Sequence, residues 1–286
     1  MIDLHSNPIH IRELSDQDPK LLDYANRIYG LKSSPHSLES HLHQLDVAGI
    51  DKAVIMPIDC TTVHGGKLVT NEQISWLLEK CDRFIGFASV DPRDPDALKN
   101  LEKAVKEYGL IGLKLDASLQ QFDVTNEEYA YPLYQLCTEL NIPILFHGGM
   151  SWSPIGIAEL SNPIKLETVI QTFPSLKVII SQFGWPWVQE AFMLGIKYKN
   201  VFLETSILFS GTPSDSVRQV LAEQIGIANL YRSLSEQIVF GSNTPRVDPK
   251  RLVWAIEDLE LDKKLEKKIF YKNAARLLSL SGGMDG

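Results

Sequence analysis

Eight short apolar, β-branched segments recur along the chain and alternate with longer amphipathic stretches. They cover residues 2–5, 53–57, 84–90, 112–115, 142–147, 178–181, 201–205 and 238–241. Strands that alternate strictly with helices pair in parallel through right-handed crossovers. Eight such units within 286 residues predict an α/β protein that closes into a single (β/α)8 TIM barrel rather than an open doubly wound sheet.

Local signals at the ends of the helical segments agree with this reading. Ser37 is suited to cap a helix that begins at Leu38, and Gly49 is suited to the left-handed residue that ends it. No linker and no shift in composition divides the chain. We therefore predict one barrel domain over residues 1–280, followed by a flexible tail at 281–286.

Charge and composition exclude several classes of partner. The net charge is −8 and the pI is about 5.4, which disfavours nucleic acid and anionic membrane surfaces because both attract basic proteins. We find no signal peptide and no uninterrupted apolar run long enough for a membrane span. The three cysteines form no CxxC pair. These features predict a cytoplasmic protein with a small-molecule substrate, as a monomer or a homodimer.

Polar residues follow nearly every predicted strand, and in (β/α)8 barrels the carboxyl ends of the strands carry the reactive groups. Residues two apart on a strand project to the same face. We therefore expect His5 to point the same way as Asn7, and Lys114 the same way as Asp116. The other strand ends contribute His147, Gln182, Trp185, Glu204, Asn243 and Arg246.

An ordered set of motifs makes the chain resemble the amidohydrolase-related hydrolases and decarboxylases. The motifs are D-x-H-x-N at 3–7, G-x-K-L-D at 112–116, I-P-I-L-F-H-G-G at 142–149, F-P-x-L-K-V-I-I-S-Q-F-G at 173–184 and F-G-S-N-T-P at 240–245. The resemblance runs over nearly the whole chain. It implies an amidohydrolase-like barrel with its site at the carboxyl ends of the strands.

The sequence departs from this family at the metal site. The family usually holds its metal through His-x-His on strand one, histidines on strands five and six, and an aspartate on strand eight. At those positions the chain carries His5, Asn7, His147, Gln182 and Asn243. Amide oxygens are poor ligands for Zn²⁺. We therefore expect no tightly bound metal and no other cofactor, unless Asp59 or Glu204 rebuilds the site.

The same residues suggest roles in catalysis without a metal. His5 or His147 could act as general base, while Lys114 and the amides could stabilise a developing oxyanion. Arg246 could bind a substrate carboxylate through two hydrogen bonds. Asn7, Gln182, Asn243, Asp116 and Trp185 complete the expected substrate pocket.

Three functions remain open from the sequence. The first is a hydrolase of a small carboxylated ester, lactone or amide. The second is a decarboxylase, because the resembled family includes such lyases. The third is a catalytically inactive protein that binds a ligand or partner. No G-x-S-x-G elbow and no nucleotide loop is present, which argues against a serine hydrolase and a nucleotide-dependent enzyme.

Overall fold

The computed structural model describes residues 1–30, 34–209 and 211–280. Eight parallel strands lie where the sequence predicts them: β1 (Ile2–Ser6), β2 (Lys52–Ile55), β5 (Phe84–Gly86), β6 (Leu113–Leu115), β7 (Ile144–Phe146), β8 (Val178–Ile180), β9 (Val201–Glu204) and β10 (Ile238–Val239). The labels β3 and β4 belong to a hairpin outside the barrel, which is described below. The predicted tail at 281–286 lies outside the described residues. The predicted eight-stranded α/β barrel is confirmed.

The strands close into a ring through two short joints. One parallel group runs β1-β2-β5 and the other runs β6-β7-β8-β9-β10. A bridge between Ala88 and Leu113 joins β5 to β6, and Leu4 N donates to Phe240 O at 2.9 Å to join β1 to β10. All eight strands except β1 are shorter than predicted, mostly because the chain leaves the regular ladder where it enters the loops at the open end.

Helices surround the ring of strands. They are α1 (Arg12–Gln17), α2 (Leu21–Tyr29), α3 (Leu38–Ala48), α4 (Thr61–His64), α5 (Asn71–Lys80), α6 (Ala97–Lys106), α7 (Ala117–Gln120), α8 (Tyr131–Glu139), α9 (Leu166–Thr172), α10 (Val188–Lys197), α11 (Pro213–Val217), α12 (Ile227–Arg232), α13 (Pro249–Glu257), α14 (Lys263–Lys267) and α15 (Asn273–Leu277). As predicted, Ser37 caps α3 by accepting from Ser40 N at 3.2 Å, and Gly49 ends it with φ +74°. In the described part of the chain, no helix has the length and apolarity needed to cross a membrane.

One element was not anticipated from the sequence. After β2 the chain forms an antiparallel hairpin of β3 (Ile58–Cys60) and β4 (Gly66–Leu68), with α4 between them. Asp59 on β3 forms an ion pair with Lys67 on β4 at 2.7 Å. Each strand has only three residues, too few for an alternating pattern to be recognised in the sequence.

Alternation along the strands separates the two faces of the barrel wall. Leu113 and Leu115 pack outward against the helices, as do Ile144 and Phe146 of the next strand. A second apolar cluster fills the barrel interior: Ile2, Leu4, Val54, Met56, Phe87, Leu145, Ile179, Phe202 and Val239, covered by Ala274, Leu277 and Leu278 at its closed end. The interior is therefore a packed core, and a pocket can open only at its carboxyl end.

Two glycines make room for large side chains inside the barrel. A Cβ on Gly112 would collide with the ring of Phe87. A Cβ on Gly241 would likewise collide with the carboxylate of Glu204. Since a glycine faces each of these side chains, Phe87 fits into the apolar layer and Glu204 into the polar layer above it.

Candidate active site

A pocket opens at the carboxyl end of the barrel and encloses about 440 Å³ of space, counting its mouth. Eight of the nine predicted site residues line it: His5, Asn7, Lys114, Asp116, His147, Gln182, Asn243 and Arg246. They come from five different strands or the loops that follow them. The pocket is therefore built by closure of the barrel and not by any one segment of sequence.

The imidazole of His5 on β1 contacts a buried carboxylate on β9, which is separated from β1 in the closed ring by β10. Its Nδ1 lies 3.1 Å from Oε2 of Glu204, which ends β9 and has no solvent exposure. Glu204 also accepts hydrogen bonds from the backbone N and the hydroxyl of Ser206, and from the backbone N of Gln182. A carboxylate surrounded by donors acts as an acceptor, so we assign the His5 proton to Nδ1.

This assignment leaves Nε2 of His5 with a free lone pair in the pocket that His5 lines. Burial lowers the pKa of His5, and the hydrogen bond that His5 donates to Glu204 opposes that shift. Burial therefore favours the neutral form of the imidazole, and Glu204 orients the ring so that Nε2 is able to accept a proton. A buried carboxylate that orients a histidine is the arrangement that general bases use in hydrolytic enzymes.

The carboxylate of Asp3 stabilises the backbone at His5 and at the segment after β10. It accepts from the backbone N of His5 at 3.0 Å, and from the backbone N and hydroxyl of Ser242 at 2.8 and 2.5 Å. These bonds tie the end of β1 to the segment after β10. Complete burial raises the pKa of Asp3 to about 7. An irregularity in the pairing of β1 lies between Asp3 and Ser6, and it accounts for Leu4 packing in the core while the next residue lines the pocket.

The second predicted base, His147, has a looser environment. Its Nδ1 lies 3.8 Å from Oδ2 of Asp116, too far for a hydrogen bond, and its Nε2 is buried with no hydrogen-bond partner among the residues that the structure describes. Asp116 is engaged elsewhere, since its Oδ1 caps α7 by accepting from Leu119 N at 3.0 Å. Burial lowers the pKa of His147 to about 4. Of the two histidines in the described pocket, His5 is the one whose ring lies within hydrogen-bond distance of a carboxylate, whereas His147 interacts with the backbone of Met150.

Two cations line the pocket without a carboxylate partner in the described part of the chain. Lys114 is only 2% exposed and forms no ion pair there, and burial lowers its pKa to about 8. The guanidinium of Arg246 donates to the backbone O of Tyr29 at 2.9 Å and makes no ion pair in the same ranges. An unpaired lysine and an unpaired arginine give this pocket the capacity to bind an anionic ligand.

Amide side chains complete the floor. Asn7 donates through Nδ2 to Oδ1 of Asn243 at 2.9 Å. Asn243 and Gln182 both have left-handed backbones, with φ of +56° and +57°. This conformation is rare outside glycine and is found often at functional sites. This turn of the backbone places Gln182 and Asn243 in the pocket lining soon after β8 and β10 end.

The remaining predicted residue, Trp185, is not among the residues that line the pocket. Its ring stacks on Phe209 with a centroid distance of 4.3 Å and an interplanar angle of 1°. Sequence reasoning missed part of the mouth, which is formed by Tyr29, Ser151, Trp152, Ser153 and Pro245. Tyr29 ends α2 and the others lie in loops with no periodicity, so only their positions after β1, β7 and β10 in the chain could have suggested them.

The groups available to a divalent metal are few. In the described residues, no cluster of three or more His, Cys, Asp or Glu side chains is arranged to hold an ion. Glu204 is used by His5 and Ser206, as described above. Asp59 pairs with Lys67 and accepts from the Thr61 hydroxyl at 2.6 Å, and it lines a separate cavity near the hairpin.

Solved structures with the same architecture cover almost the entire chain. An uncharacterized TIM-barrel protein from Bordetella bronchiseptica aligns with a TM-score of 0.73 and 22% identity over 98% of both chains. A probable 2-pyrone-4,6-dicarboxylic acid hydrolase from Acinetobacter baumannii, solved with citric acid bound, aligns at 0.67 and 15% over 98% of this chain and 99% of that one. A 5-carboxyvanillate decarboxylase from Sphingomonas paucimobilis aligns at 0.67 and 14% with the same coverage. At these identities the likeness establishes the fold.

Sequence comparison places the chain more specifically. A curated relative, the protein fluG of Emericella nidulans, is 28% identical over 97 residues, which are 34% of this chain and only 11% of that much longer protein. The family model described as amidohydrolase matches residues 2–280. The resemblance inferred from the ordered motifs is thus confirmed, and this chain belongs to the amidohydrolase family.

Proposed function

We propose that this protein hydrolyses a small carboxylated ester, lactone or amide, with His5 as general base and without a tightly held metal. The observation that carries the proposal is the 3.1 Å contact between His5 Nδ1 and Glu204 Oε2 inside a pocket that also presents Lys114 and Arg246. An oriented neutral imidazole is suited to take a proton from water as that water attacks a carbonyl carbon.

Each group has a defined task in this reaction. Arg246 holds the substrate carboxylate, and Lys114 donates to the carbonyl oxygen as negative charge develops on it. His5 Nε2 accepts the proton of the attacking water and returns it to the leaving oxygen or nitrogen. Glu204 stabilises the imidazolium that exists between these two steps.

The chemistry of the donor set supports catalysis that does not depend on a bound metal. The family positions for ligands hold two imidazoles and three amides, and Asn7 and Asn243 already bond to each other. A lysine ammonium in the same pocket repels a divalent cation. These residues are a poor fit for a zinc-like ion, which prefers histidine, cysteine and carboxylate ligands.

A substrate panel tests the proposal. Purified protein, with its metal content measured by elemental analysis, is assayed against carboxylated lactones, esters, amides and aromatic acids. We expect water uptake with ring opening or ester cleavage that survives chelator treatment and is lost in His5→Ala. The matched control is His43→Ala, which removes an exposed histidine. Release of carbon dioxide would replace the hydrolase by a decarboxylase, and binding without turnover of any compound would leave a ligand-binding protein.

A further inference from the structure

Lys114 lies at an unusual place for a lysine, on the interior face of the barrel wall. Its neighbours Leu113 and Leu115 face the helices, so alternation turns Lys114 inward. The segment that follows β5 holds the backbone of Lys114 through two hydrogen bonds, because Lys114 N donates to Ala88 O at 2.7 Å and Lys114 O accepts from the Ser89 hydroxyl at 3.0 Å. The amine can therefore move only by rotation of its own stem within the pocket.

The two carboxylates near Lys114 contact other groups and neither forms an ion pair with it, and their charges only partly oppose the lowering of the Lys114 pKa by burial. Glu204 is bound by His5 and Ser206, and Asp116 caps α7. In the described residues the Lys114 amine forms neither an ion pair nor a hydrogen bond. A buried ammonium without a partner loses its proton more easily than one in water, because burial disfavours the charged form. The resulting free amine is a nucleophile.

We propose that Lys114 forms an imine with small carbonyl compounds that carry a carboxylate, the class to which 2-oxo acids belong. The geometry points to this activity because a buried, unpaired primary amine, a proton-accepting imidazole and a half-buried guanidinium line one pocket. The inference goes beyond the hydrolytic function, in which the same lysine acts as an ammonium and forms no bond to the substrate.

The steps balance without an oxidant or reductant. The lone pair on Nζ attacks the carbonyl carbon as the carbonyl π bond breaks, and the carbonyl oxygen takes one proton from solvent to give a carbinolamine, so the imine formed in the next step carries that positive charge. The nitrogen lone pair then expels the hydroxyl group, which leaves as water after it receives a second proton. His5 Nε2 can accept the proton that the attacking nitrogen releases and return it to the departing hydroxyl. Arg246 holds the carboxylate throughout.

Reductive trapping tests the proposal on the wild-type protein. The full chain is incubated with pyruvate and sodium borohydride near neutral pH, and the reduced adduct is located by intact mass and peptide mapping. We expect modification at Lys114 to exceed that at the exposed Lys263 by about tenfold or more, because Lys263 pairs with Glu266 at 2.6 Å and this contact keeps its amine protonated near neutral pH. Equal labelling of the two lysines, or none at Lys114, overturns the proposal.

Two variants sharpen the result. Lys114→Arg keeps the charge but cannot form an imine, and we expect the specific adduct to disappear, whereas Lys263→Arg leaves it unchanged. Arg246→Met should lower labelling by pyruvate more than labelling by acetaldehyde, which has no carboxylate. Mapping of the wild-type adduct decides the question even where a variant fails to fold. Because this assay requires no hydrolysis, its outcome is independent of the substrate panel.

Discussion

The interior of the barrel differs sharply between its closed end and its open end. At the closed end, Leu145 and Phe202 pack in an apolar layer. Two residues further along the same strands, His147 and Glu204 lie in the polar layer at the open end. Two residues advance a strand by roughly 6.6 Å, so a single step along the axis separates a packed core from a pocket.

The two ends of the same barrel wall differ in what they contribute to the protein. The apolar layer contributes free energy of folding through burial and close packing. The polar layer buries charged and polar groups at a cost, and its hydrogen bonds only partly recover that cost. We therefore expect substitutions in the polar layer to change activity, and substitutions in the apolar layer to change stability.

The largest expected effect is loss of activity in the polar layer. Glu204→Gln removes the charge that orients and stabilises the His5 imidazole, and we expect kcat to fall by roughly 10²- to 10⁴-fold on a substrate found in the panel. Steady-state kinetics measure this, with Glu102→Gln as the control because Glu102 lies on the surface in an ion pair with Lys106. Unchanged kcat in Glu204→Gln would contradict the assigned role of His5.

Truncation of a side chain in the apolar layer should lower the free energy of unfolding rather than kcat. Leu145→Ala leaves a cavity in the barrel core, and we expect the free energy of unfolding to fall by about 2–5 kcal/mol. Denaturant unfolding measures the loss. The control is Leu98→Ala on α6, where the side chain is 42% exposed. If Leu145→Ala lowered kcat without lowering stability, the separation of the two layers would be wrong.

Asp3 lies at the boundary between the two layers, and we expect its carboxyl group to change its protonation state on unfolding. The pKa of Asp3 rises from 3.8 to about 7 in the folded protein, so between these values the folded state holds a proton that the unfolded state has lost. Stability from this group is thus present at low pH and is lost as the pH rises toward 7, by at most about 1.4 kcal/mol per pH unit. Asp3→Asn removes this term.

Paired unfolding curves from pH 4 to 7 measure the effect. We expect Asp3→Asn to gain stability relative to wild type as the pH rises, because the asparagine amide can still accept from the backbone and donate to the Ser242 hydroxyl. Substitution of the exposed Asp82 by asparagine serves as the control. Parallel curves for wild type and Asp3→Asn would show that the Asp3 proton does not change on unfolding.

The smallest expected effect concerns Trp185, which lies outside both layers. Trp185→Leu removes the stack on Phe209, and we expect a loss of about 1 kcal/mol in the free energy of unfolding. KM should stay close to the wild-type value, because the ring is not among the pocket residues. A large rise in KM with unchanged stability would instead support the sequence prediction that Trp185 contacts the substrate.

Most of the pocket residues could be predicted, because the carboxyl ends of all the strands meet at the open end of a barrel. His5, Lys114 and His147 could be assigned because they lie at the carboxyl ends of predicted strands, and the structure brings them into one pocket. The partner of His5 was not predicted, because Glu204 is 199 residues away in sequence. Nothing local indicates that β1 and β9 place these two side chains within hydrogen-bond distance.

The amino-acid sequence by itself determined the number of strands, their order and the face of the barrel wall to which Lys114 points. These features follow from short-range rules, namely the period of two along a strand and the alternation of strands with helices. Only the tertiary structure decided which strand ends meet across the pocket and which carboxylate orients which histidine. Those pairings depend on the stagger and tilt of the closed ring, and on Gly241 leaving space for Glu204, which no local pattern encodes.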